Sequence, residues 1–162
     1  MSYETVVATE RDFRPWLNLA AEVEDLFGTM VADTDFLKAL QRNLDRGTAI
    51  CIRSDEEDAS YQLVGAALFS YKEEILKITW LAVGKNYRRK GVARKLIDRI
   101  FELAPGARLV LVETFTDSCQ AGNSARELYL GYGFIPGEII PKKNNQIYDT
   151  QIFELDKSKS KK

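Results

Sequence analysis

The stretch from residue 75 to residue 115 limits the fold more than any other part of the chain. ILKITWLAV (75–83) reads as an apolar strand and GKNYRRKG (84–91) as a basic loop. A helix over 89–104 follows, with Ala93, Leu96, Ile97, Ile100 and Leu103 on one face and Arg94, Lys95, Asp98, Arg99 and Glu102 on the other. Pro105 and Gly106 stop it, and ARLVLVETF (107–115) is a second strand by its β-branched run. Strands joined through a helix lie parallel in one sheet, so this unit is a β-α-β crossover.

The flanking segments surround that unit with antiparallel structure. TVVAT is a short strand. RPWLNLAAEVEDLFG and DTDFLKALQRNLDRG carry apolar residues at helical spacing, with Gly28 and Gly47 as stops. TAICIRS and YQLVGAALFS are strands separated by the acidic loop SDEEDAS, and YKEE turns the second into 75–83. SARELYLGYGF is a helix, with Ser124 and Glu127 spaced as a capping box. FIPGEII and QIYDTQIFEL close the chain as strands about a KKNN turn. The expectation is a mixed α/β (α+β) fold: a mostly antiparallel sheet of about seven strands flanked by about four helices, around one parallel crossover. At 162 residues this suits one domain, 1–156, followed by a basic tail at 157–162 that does not pack.

Charge is unevenly distributed. Residues 1–60 hold 6 Lys/Arg against 13 Asp/Glu, and residues 61–162 hold 17 against 11, so an anion belongs with the second part and a cation with the first. The net charge of −1 lacks the basic excess of a nucleic-acid binder. No apolar run approaches the roughly 20 residues of a membrane span, and no export leader is seen. Cys51 and Cys119 lack CxxC or histidine neighbours, so neither a metal nor a disulfide framework is expected, and a reducing cytoplasm fits. The chain has no histidine, which excludes Ser-His-Asp and Cys-His schemes. Acid–base chemistry must then use carboxylates, tyrosine, lysine, cysteine or water.

The loop before the central helix points to an anion. Three cations, Arg88, Arg89 and Lys90, meet a helix start whose free N–H groups already carry positive partial charge, and Gly91 permits close approach of a ligand. The spacing is neither GxxxxGK[ST] nor GxGxxG but RxxGxA, through Arg88, Gly91 and Ala93.

Thirty residues beyond Ala93, Asn123 opens NSARELYLGYGF. WLAVGKNYRRKGVARKLI and NSARELYLGYGF together resemble the [RQ]xxGx[GA] and NxxAxxLYxxxGF-like segments of the GCN5-related N-acetyltransferase (GNAT) family, over residues 75–135. Ala125 lies one place early relative to some versions of the pattern. The resemblance implies acetyl-CoA as cosubstrate and no metal. Its pyrophosphate would sit on the backbone of Arg88, Arg89, Lys90, Gly91, Val92, Ala93 and Arg94. Its pantetheine arm would run along Leu81, Ala82 and Val83 like an added strand, with Asn123 on the opposite side.

The resemblance also implies direct acetyl transfer to a primary amine of a small molecule or peptide. A backbone N–H near Leu81 to Val83 would hold the oxyanion. Tyr129 would serve the leaving thiol, with an unperturbed pKa of about 10. Where family members often have a carboxylate, this chain has Thr79 and Trp80, and Glu113 is the best-placed remaining base. Glu22, Glu24 and Asp25, with Trp80, are the acceptor-site candidates. A homodimer is left open, and an acyl-CoA-binding sensor without strong catalysis is the alternative.

Overall fold

A computed structural model describes residues 3–55, 57–117, 119–143 and 146–158. The strands are β1 (Thr5–Val7), β2 (Ala49–Arg53), β3 (Leu63–Lys72), β4 (Ile75–Val83), β5 (Leu109–Phe115), β6 (Ile135–Ile140) and β7 (Thr150–Asp156). The helices are α1 (Phe13–Glu22), the one-turn α2 (Glu24–Phe27), α3 (Thr34–Arg46), α4 (Val92–Leu103) and α5 (Asn123–Tyr132). The strands form one sheet in the order β1-β2-β3-β4-β5-β7-β6. Neighbours pair antiparallel except β4 and β5, the parallel pair that the crossover required.

Two apolar layers hold the sheet. On one face α4 buries Val92, Leu96, Ile97 and Ile100 against Ile50, Leu76, Val110 and Phe153, and Tyr129 of α5 joins them. On the other, α1 and α3 bury Trp16, Leu19, Leu40 and Leu44 against Ala49, Cys51, Ala66 and Leu68. Each fully buried large side chain contributes about 1.5–3 kcal/mol through removal from water. The β3–β4 hairpin turns through Glu73 and Glu74, both left-handed (φ 55° and 69°), as a two-residue loop matched to strand twist requires. Glu74 is held by the Arg108 N–H on its carbonyl at 2.8 Å and the Arg108 side chain on its carboxylate at 3.4 Å.

The structure corrects several boundaries. The first helix breaks at Val23 (φ −110°, ψ 9°), because α2 turns to lay Phe27 against Trp80 and Phe115. Ser124 lies inside α5, whose cap position is Gly122 with no side-chain cap, so the capping box of Ser124 and Glu127 does not form. The last strand starts at Thr150 rather than Gln146. Asn144 and Asn145 of the KKNN turn lie outside the described residues, as do 159–162 of the tail. Its first residue does pack, the Lys157 ammonium sitting 4.1 Å from the Phe101 ring centre, while the exposed Ser158 donates from both N–H and hydroxyl to Asp156.

Candidate active site

The site begins where two strands part. β4 pairs with β5 only from Ile75 to Ile78, opposite Leu109 to Val112. Against β3, Trp80 faces Leu68 and Ile78 faces Phe69, so Thr79 is the extra residue of a bulge. An extra residue reverses the alternation of side chains. Leu76 and Ile78 accordingly belong to the α4 layer, whereas Trp80 and Ala82 belong to the α1/α3 layer. Beyond the bulge β4 diverges from β5 and a wedge opens, a cavity of about 710 Å³ lined from both layers.

The wedge exposes an edge of backbone. The Gly84 N–H donates to the Val64 carbonyl at 2.8 Å. By antiparallel alternation Ala82 therefore bonds toward β3, while the N–H and C=O of Leu81 and Val83 face the gap. An extended ligand can pair there as an added strand. The Val83 carbonyl accepts from Arg88 Nε at 3.2 Å, which draws the guanidinium toward the mouth of the wedge.

Above that edge lies the basic loop. Arg89 (φ 64°) and Gly91 (φ 78°) are both left-handed, so the helix starts at Val92 instead of residue 89. α4 has no side-chain cap and no acidic residue in its first turn. Its first helical bond runs from the Lys95 N–H to the Gly91 carbonyl at 3.1 Å, which leaves the N–H groups of Val92, Ala93 and Arg94 without intrahelical acceptors. A Cβ on Gly91 would meet nothing within 4 Å, so the space before these donors is open. Such a helix end holds an anion. Arg94 stacks on Tyr132 at 5.2 Å, and the Tyr132 hydroxyl donates to Asp98 at 2.6 Å, tying α4 to α5.

Tyr129 projects from α5 into the wedge, against Phe134 and Phe153. Burial pushes its pKa well above the ordinary tyrosine value, and its hydroxyl makes no hydrogen bond among the described residues. The expectation of an unperturbed hydroxyl is thus corrected. Tyr129 therefore keeps its proton at any physiological pH.

The opposite face of the wedge is aromatic. Val110 and Val112 of β5 enter the α4 layer, so Glu113 and Phe115 point the other way. Phe27 packs on Phe115 at 5.5 Å and on Trp80 at 6.1 Å, and Trp80 donates its indole N–H toward the Met30 sulfur at 3.2 Å. The Glu113 carboxylate accepts a short hydrogen bond from the Thr150 hydroxyl.

Most of the expected residues meet here. Leu81, Ala82, Val83, Arg88, Arg89, Gly91, Val92, Ala93, Arg94, Glu113, Tyr129 and Trp80 all line the wedge. Lys90 and Asn123 are exposed and do not line it, whereas Ser124, also exposed, and the half-buried Ala125 do. Glu22, Glu24 and Asp25 do not line it either. Glu22 accepts from the Lys85 N–H at 3.0 Å, and Glu24 accepts from the Met30 and Val31 N–H groups at 2.8 Å, so both carboxylates hold loops. Asp25 is exposed. Phe27 lines the wedge with Trp80. Phe115, Gln146 and Thr150 line it without having been expected. Each reads in sequence as an ordinary core or strand residue, and no local signal marks it.

A family model described as an acetyltransferase (GNAT) domain matches residues 45–136. The chain belongs to the GNAT family of acetyltransferases. Among solved structures, Ard1 from Thermoplasma volcanium superposes with a TM-score of 0.75 at 18% identity, over 96% of this chain and 98% of that one. A ribosomal-protein-alanine N-acetyltransferase from Brucella melitensis gives 0.68 at 19%, over 94% and 99%. The diaminobutyrate acetyltransferase EctA from Paenibacillus lautus, solved with L-2,4-diaminobutyric acid and coenzyme A, gives 0.71 at 15%, over 96% and 95%. No curated protein matches the sequence significantly. Among the described residues no helix is long and apolar enough to cross a membrane, and no group of three or more His, Cys, Asp or Glu is arranged to hold a metal.

Proposed function

We propose that the protein is an acetyl-CoA-dependent N-acetyltransferase acting on a primary amine. The observation that carries this reading is the wedge itself: the open-edge backbone groups of Leu81 and the Val83 N–H run toward the uncapped, glycine-led start of α4. One feature suits an extended amide-bearing arm and the other a pyrophosphate, and acetyl-CoA joins both in one molecule with an activated acetyl thioester. The N–H groups of Val92, Ala93 and Arg94 would hold the pyrophosphate, with Arg88 and Arg89 beside them.

The chain's own groups divide the chemistry. The Leu81 N–H lies on the open edge beside the parting of the strands, where it holds an acyl oxygen as negative charge develops. Tyr129 donates a hydrogen bond to the departing sulfur. Its raised pKa makes complete transfer of its proton to a thiolate unfavourable, so it stabilises the leaving group without being consumed. Glu113 attracts the ammonium form of the acceptor and collects a proton as the amine attacks. An amine of pKa about 10.4 is mostly protonated at neutral pH, so the rate rises with pH as the neutral form grows. Two buried free cysteines suit a reducing compartment such as the cytoplasm.

Calorimetric titration with acetyl-CoA, with ATP as control, tests the reading. Micromolar binding of acetyl-CoA alone, followed by thiol release on addition of an amine, is expected. Absence of binding at millimolar acetyl-CoA would overturn it.

A further inference from the structure

We infer that the acceptor half of the wedge takes a primary amine with a single positive charge and a flat apolar body on a short alkyl spacer, an arylalkylamine, rather than a polyamine or an amino acid. The inference rests on the acetyltransferase reading and adds the substrate class.

The wall between the bulge and α2 is aromatic. Trp80, Phe27 and Phe115 line the wedge with Val23, in edge-to-face contact through Phe27 at 6.1 and 5.5 Å, and Tyr148 backs Phe115 at 5.9 Å. Phe27 and Phe115 are only half-buried, so their rings retain surface for a planar guest. Rings in such a frame favour another ring, offset or edge-on, and attract a nearby ammonium through their faces.

Charge selects the head group. Glu113 is the only carboxylate lining the wedge among the described residues, and Thr150 fixes its orientation. The other charged groups there are Arg88, Arg89 and Arg94, by the loop above α4. One ammonium thus finds one partner. A second ammonium would find no further carboxylate in that lining, and the α-carboxylate of an amino acid would be brought beside Glu113. The acidic residues of the first helices offer no further partner, since Glu22 and Glu24 are bonded to backbone N–H groups and Asp25 lies outside.

The test measures amine binding apart from turnover. The full chain, saturated with coenzyme A, is titrated with phenethylamine, spermidine and lysine by calorimetry. Phenethylamine is expected to bind at least about tenfold more tightly than the other two. Phe27→Leu and Phe115→Leu should each weaken phenethylamine severalfold without weakening coenzyme A, and Glu113→Gln should do the same. Two leucine variants at separate positions guard against one that fails to fold, which a thermal melt detects. Equal or tighter binding of spermidine or lysine overturns the inference, as does no phenethylamine binding at millimolar concentration. Acetyl transfer to spermidine alone would sink this inference and leave the acetyltransferase standing. Failure of acetyl-CoA to bind would remove the enzyme reading, and the substrate class built on it would fall too.

Discussion

Gly65 of β3 lies directly beneath Val92, the first residue of α4: a Cβ at Gly65 would come within 2.7 Å of Val92 Cγ1 and 3.2 Å of Leu96 Cδ1. The absence of one side chain therefore sets how closely the N-terminal end of the helix approaches the sheet. In sequence, Gly65 is an unremarked residue within YQLVGAALFS.

Gly65→Ala should lift the start of α4 away from the strand edge. Overpacking of this kind costs about 1–3 kcal/mol, read as a lower midpoint in denaturant. Acetyl-CoA affinity should fall severalfold, because the edge of β4 and the N–H groups of α4 must engage one ligand together. Unchanged affinity in a destabilised variant would show that helix placement does not limit binding.

Gly91→Ala tests the loop with no steric complication, since a Cβ there meets nothing within 4 Å. The φ of 78° remains unfavourable for alanine, so a stability loss of about 1 kcal/mol is expected from backbone conformation alone. Acetyl-CoA should bind more weakly as the loop relaxes, and titration calorimetry reads this directly.

Tyr129→Phe keeps the ring packed against Phe134 and Phe153 and removes only the hydroxyl. The hydroxyl makes no hydrogen bond among the described residues, so stability should hardly change. Turnover should fall by about 10²-fold or more if the hydroxyl supports the leaving sulfur, with acetyl-CoA affinity preserved. An unchanged kcat would remove Tyr129 from the mechanism.

Asp12 should govern acid stability. Burial alone would raise its pKa, but hydrogen bonds from Arg53, Tyr61 and the Thr9 N–H outweigh this and hold it below the ordinary aspartate value. The folded chain therefore binds this proton less readily than the unfolded chain. The stabilisation is fully present above the unfolded pKa of about 3.9 and disappears as pH falls through the lower folded value. Asp12→Asn should flatten that acid limb of the stability curve. Arg53→Ala leaves a buried carboxylate without its cation and should cost about 3–5 kcal/mol at neutral pH.

Local pattern carried much of the fold. The apolar run of 75–83, the amphipathic face from Ala93 to Leu103 and the β-branched run of 107–115 each have a period that only one element satisfies, and the parallel pair follows from their order. RRKGVA was equally legible, because cations, a glycine and a helix start are a local chemical conjunction. The helix boundary was not: Arg89 and Gly91 turn left-handed and delay the start to Val92. NSARELYLGYGF was legible as a helix, yet each residue along a helix rotates the face by about 100°, which set Ser124 and Ala125 on the wedge and left Asn123 off it.

The sequence by itself determined the element types, the crossover and the basic, glycine-led helix start, since each rests on residues near one another in the chain. Only the tertiary structure decided which residues share the aromatic side of the wedge. The bulge at Thr79 carries no mark in ILKITWLAV, whose apolar content suits either register, and it exists because β4 must leave β5 while staying paired with β3. That single extra residue moves Trp80 to the opposite face from Ile78, where it meets Phe27 and comes to line the same cleft as Glu113. These residues lie far apart in sequence, and packing across the sheet brings them together.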